Sequence, residues 1–183
     1  MSNPAKLVEQ ERVYEGRRIC VTRDRVVLPN GKQTQLEVIR HPGAAAMVPV
    51  DSEGNVLLVK QVRHSAASWL LEVPAGTLEQ GEDPIVCAER ELQEEAGVKA
   101  SRLLPLGNIW TSPGFTDECI WLYLALDLVP CQADLDEDEV LTVEKMPFQQ
   151  AVAMALSGEI HDAKSVCALL RAKERLVTLA GKE

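Results

Sequence analysis

The segment between Asp83 and Gly97 carries its own start and stop signals, and it constrains the fold more than any other stretch of the chain. Asp83 is a residue type whose side chain caps free helical amides. Pro84 suits a first helical position, where no amide donor is needed. Gly97 is suited to the left-handed conformation that closes a helix. The signals predict a helix over about Pro84 to Ala96. Within it Glu91, Glu94 and Glu95 stand at spacings of zero, three and four, which puts three carboxylates on one helical face. Like charges this close repel, and hard divalent cations with oxygen ligands are their natural partners. A solvated acidic face is the plainer alternative for the cluster taken alone.

The residues around the helix decide between the two. Gly76 is followed by five residues and Glu82, then by seven residues and Arg90-Glu91-Leu92-Gln93-Glu94-Glu95-Ala96-Gly97-Val98. Every specified position resembles the signature of the Nudix hydrolases. The resemblance implies a loop–helix–loop in which Glu91, Glu94 and Glu95 coordinate Mg²⁺, with Mn²⁺ able to substitute. It further implies that Arg90 orients these carboxylates, that Glu82 supports the helix, and that Gly76 and Gly97 shape the loops. The expected reaction is attack of water on one phosphorus of a diphosphate, with Glu94, Glu95 and Arg90 in the catalytic machinery.

Flanking residues are similar to those of the bacterial ADP-ribose pyrophosphatases. These are Gln61-Val-Arg63, Val73-Pro-Ala-Gly76, Ser112-Pro-Gly-Phe-Thr-Asp-Glu118 with Pro113 fifteen residues beyond the box, and the helical tail from Gly158 to Leu169. The resemblance implies a nucleoside diphosphate sugar as substrate and adds the Ala75 carbonyl to the metal ligands. It places a base in the acidic loop Asp134-Leu-Asp-Glu-Asp-Glu139, where Glu137 fits the base position and Glu139 a metal ligand. Gly114, Phe115 and Glu118 are the expected substrate contacts in the Ser-Pro-Gly segment, Glu118 at ribose hydroxyls. Arg63 is the candidate phosphate contact because a planar guanidinium matches phosphate oxygens in pairs. A surface ion pair is its alternative. Trp69 and Trp110 are expected to fill the core rather than stack on a base. The chain departs from its relatives at Leu36, where an arginine is common before the Glu37-to-His41 segment.

A formal charge of −9 and scattered basic residues argue against a nucleic-acid partner. No apolar run approaches membrane-spanning length, and Met1 to Arg12 lacks a secretory core, so a cytoplasmic protein without membrane contact is expected. The five cysteines form no CxxC pair and read as reduced thiols rather than a disulfide or zinc framework.

At 183 residues one main domain is expected. The predicted class is α+β, an α/β/α sandwich around a mixed sheet with an N-terminal β-arm. A boundary near Pro42-Gly43 would separate the arm (1–42) from a hydrolase domain (43–183). In the arm, two β-prone stretches from Arg17 to His41 flank Asn30-Gly31, a hairpin turn signal. Further strands are predicted at Ala44–Val50, Val56–Arg63, Trp69–Val73, Leu103–Trp110, Ile120–Asp127 and Val140–Val143, with helices at Pro147–Leu156 and Ala163–Leu179. By resemblance the arm is exchanged between the protomers of a homodimer. The alternatives are a Nudix enzyme preferring GDP-mannose or a dinucleotide, and a catalytically silent nucleotide-binding protein of the same fold.

Overall fold

The computed structural model describes residues 4–16, 19–134 and 140–181. The chain divides into two units, residues 1–43 with 110–119, and residues 44–109 with 120–183.

In the first unit, β1 (Lys6–Glu15), β2 (Cys20–Val27) and β3 (Gln33–Arg40) form an antiparallel sheet in that order. Gly31 takes φ 82° at the tip of the β2–β3 hairpin, and Asn30 Oδ1 accepts the Lys32 amide at 3.0 Å, so the turn chemistry sets the register of Val27 against Gln33. The sheet has three strands where the sequence predicts two. β1 has no alternating pattern because all its residues are exposed. Its backbone bonds to β2 form the strand, without a buried face.

The second unit is built around β4 (Ala44–Pro49), buried along its whole length. It pairs in parallel with β9 (Cys119–Pro130) and antiparallel with β7 (Ala75–Thr77), and β8 (Val98–Trp110) completes the order β7-β4-β9-β8. Side chains alternate across a strand, so β4 feeds two cores. Ala44, Ala46 and Val48 face a cluster containing Phe148, Ala151 and Val152 of α2 (Phe148–Ser157) and Ala168, Leu169 and Ala172 of α3 (Ala163–Ala180). Ala45 and Met47 face Cys87, Ala88, Leu92 and Ala96 of α1 (Pro84–Ala96). Helices thus cover both faces of a mixed sheet, the expected α/β/α arrangement. Truncating the fully buried Leu92 or Leu169 to Ala is expected to cost about 2–5 kcal/mol.

The other sheet of this unit runs β10-β5-β6, from β5 (Asn55–Arg63), β6 (Ser68–Glu72) and β10 (Leu141–Pro147). Gln61 faces Leu70 on one side and Leu141 on the other. Both tryptophans expected in the core lie outside it. Trp69, 50% exposed, sits on edge strand β6 opposite the exposed Val62, on the side of the sheet away from buried Glu72; Trp110, 58% exposed, is the last residue of β8. Among the described residues no helix is long and apolar enough to cross a membrane.

Candidate active site

Helix α1 starts and stops where its own residues dictate. Asp83 accepts the Ile85 amide at 3.0 Å, Pro84 opens the helix, and Gly97 closes it at φ 63° with its amide on Gln93 O. Its apolar stripe, Cys87, Ala88, Leu92 and Ala96, anchors it on β4 and β9. That docking carries Glu91 and Glu95 inward with the stripe: they are 8% and 3% exposed, whereas the Glu94 side chain keeps 35% exposure.

Arg90 organises the cluster. Its Nε and Nη2 each donate to Glu82 at 3.1 Å, and Nη1 donates to Glu91 Oε1 at 2.6 Å and Glu94 Oε2 at 2.9 Å. Nη2 also reaches the Thr77 carbonyl at 3.2 Å. Hydrogen bonds to Glu82 lead, opposed by burial and reinforced by Glu91 and Glu94, and they hold the guanidinium well above its usual pKa. The same hydrogen bonds from Arg90 hold Glu82 below the usual carboxylate range, against the opposing effect of burial. Glu82 in turn accepts the Glu79 amide at 2.9 Å and so ties the loop before α1 to the helix.

The approach to the box is pinned residue by residue. The Val73 amide donates to Ser165 Oγ at 2.8 Å, Pro74 O accepts the Met47 amide at 2.9 Å, and the Ala75 amide donates to Glu95 Oε2 at 2.9 Å. A side chain at Gly76 would overlap the Glu91 carboxylate, so only glycine lets that group press against the backbone.

Glu91, Glu94, Glu95 and the Ala75 carbonyl, the expected ligands, are oxygen donors of the kind a hard divalent cation takes, and Gly76 leaves room for the Glu91 carboxylate against the backbone. Among the described residues no three His, Cys, Asp or Glu groups converge as an ion site, and Arg90 Nη1 bridges Glu91 and Glu94. Glu137 and Glu139 lie outside the described residues.

Arg63, at the end of β5, forks onto Glu72, with Nε to Oε1 at 2.8 Å and Nη2 to Oε2 at 2.7 Å. Glu72 is 1% exposed, and also accepts Lys164 Nζ at 2.5 Å. Burial pushes its carboxyl up, but the hydrogen bonds from Arg63 and the charge of Lys164 outweigh burial and leave it below the usual range. No feature of the sequence singled out Glu72 or Lys164.

In the first unit, Glu118 Oε2 accepts Thr111 Oγ1 at 2.7 Å and its Oε1 lies 3.7 Å from His41 Nδ1. Asp117 receives the His41 amide at 2.9 Å and Arg40 at 3.0 Å, and Arg40 also pairs with the buried Asp24. Gly114 is open on its Cβ side and Phe115 is 56% exposed, its carbonyl accepting the Ile39 amide.

A carboxylate-bearing helix clamped by an arginine between two glycine-shaped loops, set on a mixed sheet with helices on both faces, is the construction of a Nudix hydrolase. The chain belongs to the Nudix family: the NUDIX domain matches residues 40–169. It is 39% identical over 175 residues to an ADP-ribose pyrophosphatase of Bacillus subtilis (strain 168), covering 93% of this chain and 95% of that one. It is also 39% identical over 166 residues to a methanol dehydrogenase activator of Bacillus methanolicus, covering 90% of each. A crystal structure of an ADP compounds hydrolase shares the fold at a TM-score of 0.83 and 24% identity, over 97% of this chain and 96% of that one.

Proposed function

We propose that the protein hydrolyses the diphosphate bond of a nucleoside diphosphate sugar, preferring ADP-ribose, to a nucleoside monophosphate and a sugar phosphate. The observation that carries this reading is the Arg90 clamp on Glu82, Glu91 and Glu94 inside an unbroken Nudix box. Similarity to an ADP-ribose pyrophosphatase over nearly the whole chain supports the substrate class. Nudix hydrolases use divalent metal as a class, and Mg²⁺, replaceable by Mn²⁺, is the proposed ion. Glu91, Glu94, Glu95, the Ala75 carbonyl and Glu139 are its proposed ligands. When bound, such an ion neutralises phosphate charge and lowers the pKa of water.

The chain's own groups divide the remaining work. Arg63 holds a phosphate, Gly114, Phe115 and Glu118 are the proposed substrate contacts, Glu118 at ribose hydroxyls, and Glu137 takes the proton from the attacking water as its oxygen bonds phosphorus and the bridging P–O bond breaks. The protein acts as a cytoplasmic homodimer, with residues 1–42 as an exchanged arm on the hydrolase domain 43–183.

The test is a panel of ADP-ribose, ADP-glucose, GDP-mannose, NADH and a dinucleoside polyphosphate, with and without Mg²⁺, with Glu95→Gln as control. AMP and ribose 5-phosphate released fastest from ADP-ribose, and lost in the control, is the expected result. A faster GDP-mannose reaction would overturn the substrate assignment. Glu137→Gln is expected to lower turnover more than it raises KM, and an unchanged kcat would remove Glu137 from the mechanism. A second reading, activation of a partner dehydrogenase, is favoured by the equal identity to the methanol dehydrogenase activator. It predicts that adding the protein raises the rate of a methanol dehydrogenase, and an unchanged dehydrogenase rate would overturn it.

A further inference from the structure

A guanidinium offers two edges to an anion, the Nε–Nη2 side and the Nη1–Nη2 end. In Arg63 the side edge is taken by Glu72, and no other side-chain hydrogen bond to Arg63 occurs among the described residues. Because the group is planar, the direction of its free end is set by wherever Glu72 stands.

Glu72 is held in turn. Lys164, in the first turn of α3, is 11% exposed in its side chain and donates to Glu72 Oε2 at 2.5 Å and to the helix-capping Asp162 at 3.0 Å. The next residue of α3, Ser165, is 0% exposed and accepts the amide of Val73, the residue after Glu72. Consecutive residues of the strap leading into the Nudix box are therefore anchored on one helix start, one by its side chain and one by its backbone.

Lys164 gives Glu72 a second cationic partner beside Arg63. Arg63 feels Glu95 and Asp162 as well as Glu72. A buried carboxylate with two cationic partners stays ionised and competes well for the guanidinium. Deprived of Lys164, it would rely on Arg63 alone, in a place where desolvation disfavours charge. The guanidinium would then redistribute toward Glu95 and Asp162, and its end edge would turn with it.

We propose that Lys164 is a positioning residue for substrate binding: acting through Glu72, it fixes the Nη1–Nη2 end of Arg63 for the substrate diphosphate, so that the start of α3 sets phosphate affinity without touching substrate. The inference rests on the proposed phosphate contact at Arg63.

Four variants test it: Arg63→Gln, Lys164→Met, the double variant and Lys164→Arg. They are assayed with ADP-ribose and Mg²⁺ for KM and kcat, and by calorimetry with AMP in the absence of metal. Arg63→Gln is expected to raise KM and weaken AMP about tenfold, the loss of one charge-assisted contact. Lys164→Met is expected to raise KM about fivefold and leave kcat within about twofold, and Lys164→Arg to restore binding. The double variant should bind no worse than Arg63→Gln, because both changes remove the same interaction. A KM unchanged by Lys164→Met, or a double variant whose defect is the product of the two, overturns the proposal. If Arg63→Gln itself leaves KM and AMP affinity unchanged, the phosphate contact fails first, and the positioning role with it. Should Lys164→Met not fold, Glu72→Gln keeps the shape and must raise KM in the same way; wild-type KM there overturns the proposal too.

Discussion

Gly76 lies directly against the Glu91 carboxylate: a Cβ at position 76 would stand 1.8 Å from Glu91 Cδ and Oε1 and 2.3 Å from Oε2. No pair of atoms tolerates that approach, so either the carboxylate or the backbone of the loop must move. Glu91 is 8% exposed and already bonded to Arg90, which leaves it little room to retreat. Gly76→Ala is expected to lower kcat about a hundredfold or more through misplacement on the order of 1 Å. Far-UV circular dichroism should stay unchanged. Wild-type turnover would show that Glu91 moves aside freely and is not held for catalysis.

Arg90 is the point where fold stability and metal demand meet. One guanidinium serves Glu82, Glu91 and Glu94, so Arg90→Met leaves three crowded carboxylates without it. The group is 28% exposed in its side chain, which tempers the cost to about 2–3 kcal/mol, below that of breaking a fully buried pair. A divalent cation at the same carboxylates would replace part of the lost charge. Thermal melts of Arg90→Met are therefore expected to rise more on adding Mg²⁺ than those of the wild type. Identical responses to Mg²⁺ in both proteins would place the ion away from this helix face.

Helix α1 was legible because its information is local. Cap, first-turn proline, closing glycine and the spacing of Glu91, Glu94 and Glu95 all lie within one short segment. Strand β4 was legible for the same reason, as a run of small and apolar residues, which the structure buries along its whole length. Lys164 and Glu72 were not legible, since their bond spans 92 positions and neither residue carries a local signal of burial. Trp69 failed as a core residue because its exposure depends on β6 being an edge strand, a property of sheet order rather than of its neighbours. β1 was missed because a strand exposed throughout has no reason to alternate.

Cys87 sits on the buried side of α1, with its thiol near the Gly76 carbonyl at 3.5 Å. Burial first, and then the charges of Glu91 and Glu82, push that thiol up to about 12. The thiolate is the reactive form, so the native thiol should be inert near neutral pH. Iodoacetamide labelling read by mass spectrometry is expected to leave Cys87 unmodified in the folded protein while Cys20, Cys131 and Cys167, which are half-buried, react sooner. Labelling of Cys87 as fast as these three would mean that α1 opens from the sheet on the labelling timescale.

Asp51 governs the acid limit of the turn between β4 and β5. Its carboxylate accepts the Glu53 and Asn55 amides, each at 2.9 Å, and pairs with Lys145 Nζ at 2.7 Å. Desolvation would raise its pKa, but the hydrogen bonds from Lys145 and Asn55 prevail and lower it from 3.8 to about 2. A carboxyl depressed in the folded state binds its proton more readily when unfolded, so its contribution is complete above 3.8 and disappears as pH falls through about 2. Asp51→Asn keeps an acceptor for the amides and loses the charge. The gap in urea unfolding stability between wild type and Asp51→Asn is therefore expected to be the same at about pH 7 and about pH 5, and to close steadily below about pH 4. Other carboxylates titrate in both proteins and cancel in the difference. A gap that persists undiminished to about pH 2 would separate the turn's stability from the charge of Asp51 and assign it to the backbone of Gly54 and Asn55 instead.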